Sequence, residues 1–323
     1  MTRPPQSRCW TSYNAAQSEE KARFVVLLAE LCRTVSQPEQ RGKGRPRLPL
    51  SDMLFASVYK VYVGFSLRRF TTDLREAFVE GLVNSMPCFN SMSNYLAKPE
   101  LTDIFKDLIT ASSLPLKAIE TDFAIDSSGF STSRYVRWFN YKYGRETENR
   151  EWVKCHLVCG VQTKIVTAVD ISGWTAHDTN YFIPLIQKTA EHFEVREVAA
   201  DKAYSSRKNL NAVESVGAMP FILFKSNTLE PTEAGMWARM YHLFMYKREE
   251  YMAHYHKRSN IETAYSMIKG KFGSHLRSKS DTGQINEALC KVLAHNICVL
   301  VQATHELGIE PIFCARLSNL RNF

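Results

Sequence analysis

Beyond Pro115 the apolar residues stop recurring every three or four positions and begin to alternate, and the order of elements after that switch restricts the fold more than any other feature. KAIETDFAID (117 to 126) sets Ile119, Thr121, Phe123 and Ile125 against Glu120, Asp122, Ala124 and Asp126, the period of a strand, and SSGF after it reads as a turn. WVKCHLVCGV and KIVTAVDIS are two further strands around a Gln162-Thr163 turn, so three sequential antiparallel strands are expected. TNYFIPLIQKTAEHF (179 to 193) is helical, with Pro184 a possible kink, and VREVAAD (195 to 201) is a short buried strand ending on Asp201. KAYSSRKNLNAVESVG turns, caps on Ser205 or Ser206 and runs as a helix to Gly217. MPFILFK (219 to 225) is again a strand, a basic helical stretch covers 233 to 258, and a long apolar helix spans 288 to 307. Strands and helices in that order predict an α/β fold, a mixed sheet with helices packed on its faces.

The chain before Pro115 is helical. KARFVVLLAELCRTV follows a Pro-rich start, and three further helical runs lie between Ser51, a plausible N-cap, and Ala111. Between them RGKGRPRL (41 to 48) carries Arg41, Lys43, Arg45 and Arg47 with no acid; it reads either as a basic linker or as a minor-groove peptide of the AT-hook kind. The expected division is an all-helical domain at 1–112 for DNA binding or dimerisation, a catalytic α/β domain at 113–300, and a helix end and tail at 301–323.

With 323 residues, 45% of them hydrophobic, the chain can bury a large core. It has no apolar run long enough to span a bilayer and no secretory leader, so a cytoplasmic, nucleoid-associated protein without membrane contact is expected. The eight cysteines include no CxxC pair. Cys155 and Cys159 would lie more than ~12 Å apart along one strand, too far to share a zinc ion, and are read as core. Net charge is +8, and from Lys202 to Ser280 there are 13 Lys or Arg against 6 Glu and no Asp. That clustering favours nucleic acid as partner.

The stretch YHKRSNIETAYSMIK reads as an amphipathic helix in which Tyr255, Arg258, Glu262 and Lys269 form one stripe beside the buried face. Asp126 and Asp201 are expected at strand ends, where side chains from separate strands converge, and Glu262 on a helix against the same sheet. Three carboxylates gathered there need a divalent cation. Magnesium fits, as two ions with manganese a substitute, and a pair of such ions supports phosphodiester chemistry. Asp122 shares the parity of Asp126 but lies farther from the SSGF turn, so Asp126 is the preferred ligand. His177 and Asp178 either line the site or cap the helix at 179. Trp174 and Trp237 either stack on an unpaired base or fill the core.

The spacing Tyr255-x2-Arg258-x3-Glu262-x6-Lys269 resembles the Tyr/Arg/Glu/Lys block of bacterial insertion-sequence DDE transposases, and AIDSSGF and AADKAYSS are similar to the blocks around that family's two aspartates. The resemblance implies a ribonuclease-H-like fold in which Asp126, Asp201 and Glu262 hold two catalytic metals. It also implies that Tyr255, Arg258 and Lys269 contact DNA, with Lys202 in support. The implied reaction is hydrolysis at the ends of the element followed by attack of the 3′ hydroxyls on target DNA. Double-stranded DNA, as terminal inverted repeats and target, and a homodimer or larger assembly on it are the implied partners. A nuclease of the same fold and a non-catalytic DNA-binding regulator are the alternatives.

Overall fold

The computed structural model describes residues 9–39, 46–132 and 152–313. Five helices come first: α1 (Trp10–Arg33), α2 (Leu50–Val63), α3 (Leu67–Val79), α4 (Phe89–Leu96) and α5 (Glu100–Ser113). In α1 the residues Phe24, Leu28, Leu31 and Cys32 are buried, a spacing that keeps one face of a 3.6-residue helix against the core. Helix α2 starts at Leu50 behind Pro49, one residue before the expected cap at Ser51.

The sheet consists of β1 (Asp122–Ser131), β2 (Trp152–Gly160), β3 (Val166–Gly173), β4 (Glu197–Ala200) and β5 (Met219–Ile222), in the order β3-β2-β1-β4-β5. The first three strands are antiparallel neighbours, while β4 and β5 join β1 in parallel. Helix α6 (Thr179–Ala190) leads from β3 to β4, and α7 (Arg207–Ser215) from β4 to β5. After β5 come α8 (Met236–Tyr246), α9 (Arg248–Tyr255), α10 (Ser259–Phe272) and α11 (Asp281–Leu307). This is the expected ribonuclease-H-like arrangement: a mixed five-stranded sheet flanked by helices and preceded by an all-helical segment.

Strand alternation divides the interior into two layers. Phe123 and Ile125 face a core formed with α6 to α9, whereas Ala124 and Phe130 face one formed with α10, α11 and the N-terminal helices. The N-terminal helices therefore share a continuous core with one face of the sheet. Asn296 of α11, fully buried, stitches the layers together: its Oδ1 accepts from the Val166 N–H at 2.9 Å, and its Nδ2 donates to the Val166 carbonyl at 2.7 Å and to Ser112 Oγ at 2.9 Å. Lys106 of α5 adds an ion pair to Asp170 of β3 at 2.6 Å.

Two sequence expectations require correction. SSGF is no turn: β1 runs on to Ser131, because β2 keeps pairing with it from Ser127↔His156 to Ser131↔Trp152 after β4 has ended. Gly129 serves close packing there, since a Cβ would meet the Trp152 ring at 3.0 Å. The stretch from Tyr255 is likewise not one helix. Helix α9 ends at Tyr255, residues His256–Arg258 form a 3-10 turn, and α10 begins at Ser259. The turn lets Lys257 reach back to Asp122 and Glu197, each at 2.6 Å. No described helix is long and apolar enough to cross a membrane.

Candidate active site

The parallel register of β1 and β4 runs to Ile125↔Ala200, so Asp126 and Asp201 occupy the next position on the two strands. Neighbouring strands lie about 4.8 Å apart, and residues paired in register point to the same face. Asp126 is thus mid-strand with respect to β2 but at the carboxyl end of the parallel pair, where the ladder opens. That is why two acids can sit side by side without breaking the sheet. One Asp126 oxygen accepts from the Ser127 N–H at 2.8 Å.

Helix α10 crosses the same face. Tyr265 docks it, its hydroxyl lying 2.7 Å from the Cys155 carbonyl and 3.1 Å from that of Asp126. Docked so, the first turn of α10 and the 3-10 turn before it overhang the aspartates. Arg258 reaches Asp126 Oδ2 with Nη1 at 3.4 Å and Glu262 Oε1 with Nη2 at 2.6 Å, one guanidinium spanning both acids. Its carbon lies 6.0 Å from the Tyr255 ring centre. Tyr255 is buried, and its phenol is pushed up by that burial and by the charges of Asp201 and Glu262, which Arg258 opposes. Lys269 lies farther along α10, where Nζ donates to Ser128 Oγ at 2.6 Å above the Phe130 ring, and burial lowers its pKa. The stripe is thus three residues at the acids and a fourth two residues along β1.

Asp126 carries the electrostatic signature of a crowded acidic site. Burial raises its carboxyl above the ordinary range and the charges of Asp201 and Asp178 add to that, while the Ser127 N–H and Arg258 pull the other way. Asp178 is the residue that sequence reasoning left between two roles. It precedes α6 but makes no side-chain cap; it pairs with Lys154 of β2 at 2.5 Å and its charge acts on Asp126. Behind it His156, stacked on Tyr181 at 4.0 Å, is held down to about 4 by burial and stays neutral. Ser128 and Tyr265 were also missed; the parity of Ser128 with Asp126 was the available signal for the first, and for Tyr265 there was none.

Other expected site residues lie elsewhere. Asp122 is tied to Lys257, about four residues down β1 from Asp126. Lys202 is exposed in the 3-10 turn that directly follows Asp201, and Tyr204 beyond it is buried. Trp174 is 58% exposed, whereas Trp237 packs edge-on against Phe224 at 4.9 Å. Arg47 is exposed ahead of α2; Arg41, Lys43 and Arg45 fall outside the described residues, as does the aromatic stretch 133–151.

Asp126 and Asp201 fit a hard divalent cation: they are oxygen donors on one face, and like charge with partial burial makes an added positive charge favourable. The expected three-carboxylate cluster is not closed, however. Among the described residues no three His, Cys, Asp or Glu side chains are gathered to hold a metal, because Glu262 is turned to Arg258, whose guanidinium supplies the neutralising charge. The family model described as Transposase DDE domain matches residues 117–297, which takes in the sheet, all three acids and most of α11.

Proposed function

This chain belongs to the transposase DDE-domain family, DNA-binding phosphoryl-transfer proteins that generally use divalent metals, and on that premise we propose that it is an insertion-sequence transposase of the Tyr/Arg/Glu/Lys group. The carrying observation is the pair Asp126 and Asp201 on adjacent strands where β1 and β4 part, overhung by Arg258 and Glu262. Asp126 and Asp201 would hold the metal, with Glu262 as third ligand once its pairing with Arg258 gives way, magnesium by donor chemistry with manganese as substitute. A cation bound there would supply the Lewis acidity for activating a water or hydroxyl and for stabilising the leaving oxygen.

The chain's own residues position the DNA. Arg258 keeps the acids neutralised and lies where a phosphate above them would meet its fork of N–H donors. Tyr255, its phenol held protonated, and Lys269 extend that contact along one strand, and exposed Lys202 approaches from the β4 side. Asp178, paired with Lys154, adds to the negative charge that a cation at Asp126 would offset. The basic segment with Arg41, Lys43, Arg45 and Arg47 also binds DNA, and residues 1–112 serve DNA binding and pairing of two ends by a dimer or larger assembly.

The test is wild-type protein with magnesium on labelled duplex carrying the element's terminal repeats. Cleavage leaving a 3′ hydroxyl, followed by its joining to target DNA, is expected. Cleavage without joining would mean a nuclease, and binding without cleavage a regulator.

A further inference from the structure

A cleft of about 900 Å³ opens on the N-terminal side of the molecule, between the C-terminal ends of α2 and α4, the start of α3, and the loop that enters α11. Among the described residues four cations line it, Lys60, Arg69, Arg277 and Lys279, and no Asp or Glu does. Lys60 faces the buried carboxylate of Glu287, so the charge it offers is already balanced, but Arg69, Arg277 and Lys279 are exposed.

The cleft is built. Glu287 accepts from the backbone N–H groups of Arg277 and Ser278, at 3.0 and 2.7 Å, and from Ser278 Oγ at 2.7 Å, which fixes the loop. The Arg277 guanidinium donates across the cleft to the Gly64 carbonyl at the end of α2. Helices α3 and α11 both point their N-terminal ends into it, through Ser66 and Ser280; the first turn of α3 carries no acid. Asp281 lies in the first turn of α11 but does not line the cleft.

The loop is also wired to the candidate site. The Ser131 N–H at the end of β1 donates to the Ser274 carbonyl at 3.0 Å, and the Leu276 N–H donates to the Ser131 carbonyl at 2.8 Å. The strand bearing Asp126 therefore leads, five residues on, into the segment with Arg277 and Lys279. At about 3.4 Å per residue, the end of β1 at Ser131 lies about 17 Å from Asp126.

We propose that this cleft is a second DNA-binding surface, holding the phosphodiester backbone of one strand of a duplex whose other contact is at the Asp126 and Asp201 site. It rests on the proposed function for the choice of DNA as the polyanion and for the second contact at the two aspartates. Arg69 and Lys279 take two phosphates, the ends of α3 and α11 orient toward them, and Phe65, about half exposed on the rim, meets a deoxyribose.

The experiment uses the full chain without divalent cation, so that binding is read apart from cleavage. Duplex affinity is measured against salt for wild type, for Arg69→Ala with Lys279→Ala, and for Arg69→Lys with Lys279→Arg, together with hydroxyl-radical footprints. At ~0.9 per neutralised phosphate, the double alanine variant is expected to lower the slope of log affinity against log salt by about 1.8. It should also lose one patch of backbone protection while keeping the patch at the Asp126 and Asp201 contact, and the charge-preserving pair should match wild type. An unchanged slope and footprint would overturn the cleft even if wild type cleaves and joins DNA. A lowered slope in a protein that never cleaves would support the cleft and sink the transposase reading alone.

Discussion

Asp126 is held at odds with its own charge. Burial and the charges of Asp201 and Asp178 raise its pKa in the fold above that of the unfolded chain, so the folded state binds the extra proton. The stability this gives is complete below the unfolded value and is lost as pH rises through the folded one. In chelator, Asp126→Asn should therefore melt above wild type at pH 7, with the advantage gone near pH 4; thermal melts across that range check it. Magnesium should raise the melting temperature of wild type and leave Asp126→Asn largely unmoved, because only a carboxylate pair rewards the cation. Much of this site was legible as residues. Asp126, Asp201, Arg258 and Glu262 were named from type and spacing, and the fold gathers them. The reason first given for Asp126 over Asp122 was mistaken, since SSGF continues the strand; what separates the two is that Lys257 holds Asp122 at the far end. Asp178 was undecided because a residue ahead of a helix reads as a cap, and only the three-dimensional fold reveals Lys154 beside it.

Individual elements sit where single contacts lock them. Gly160 ends β2 against buried Glu120, whose carboxylate accepts from the Gln162 N–H at 3.1 Å and from Thr163 Oγ1 at 2.7 Å. A Cβ at 160 would meet the Glu120 carboxyl carbon at 2.2 Å, the tip of a side chain that burial and those hydrogen bonds hold in place. Gly160→Ala is expected to cost about 3 kcal/mol in chemical denaturation, the upper end of overpacking, and to loosen the β2–β3 turn. Tyr265→Phe removes the hydroxyl that docks α10 and should cost about 1 kcal/mol. Its cleavage rate should fall further than its DNA affinity, since the overhang of Arg258 and Glu262 on the aspartates is set by that docking. The alternation of β1 and the capping serine of α7, Ser206 accepting from the Asn209 N–H at 3.2 Å, were readable from local pattern. The break at His256–Arg258 was not, because its cause is the pull of Asp122 and Glu197, over 130 and about 60 residues away in sequence, on Lys257.

The molecule behaves as a sheet clasped between two helical layers, one of which begins the chain. Four hydrogen bonds from Asn296 join α11, α5 and β3. Asn296→Leu leaves the buried Val166 N–H and carbonyl without that partner and should cost about 3 kcal/mol. It should lower one cooperative transition rather than split it, as seen by calorimetry, because the N-terminal helices and the sheet share a core. The sequence pattern marked where helices give way to strands but suggested a separate first domain, as local periodicity says nothing about what a helix packs on. The most direct test of the central claim is the rate of strand cleavage in magnesium on terminal-repeat DNA, for wild type and for Asp126→Asn, Asp201→Asn and Glu262→Gln, with binding measured alongside. Each variant is expected to bind DNA yet cleave on the order of a thousandfold more slowly or worse, several kcal/mol of lost transition-state stabilisation. Cleavage near the wild-type rate by any one of the three would contradict that claim.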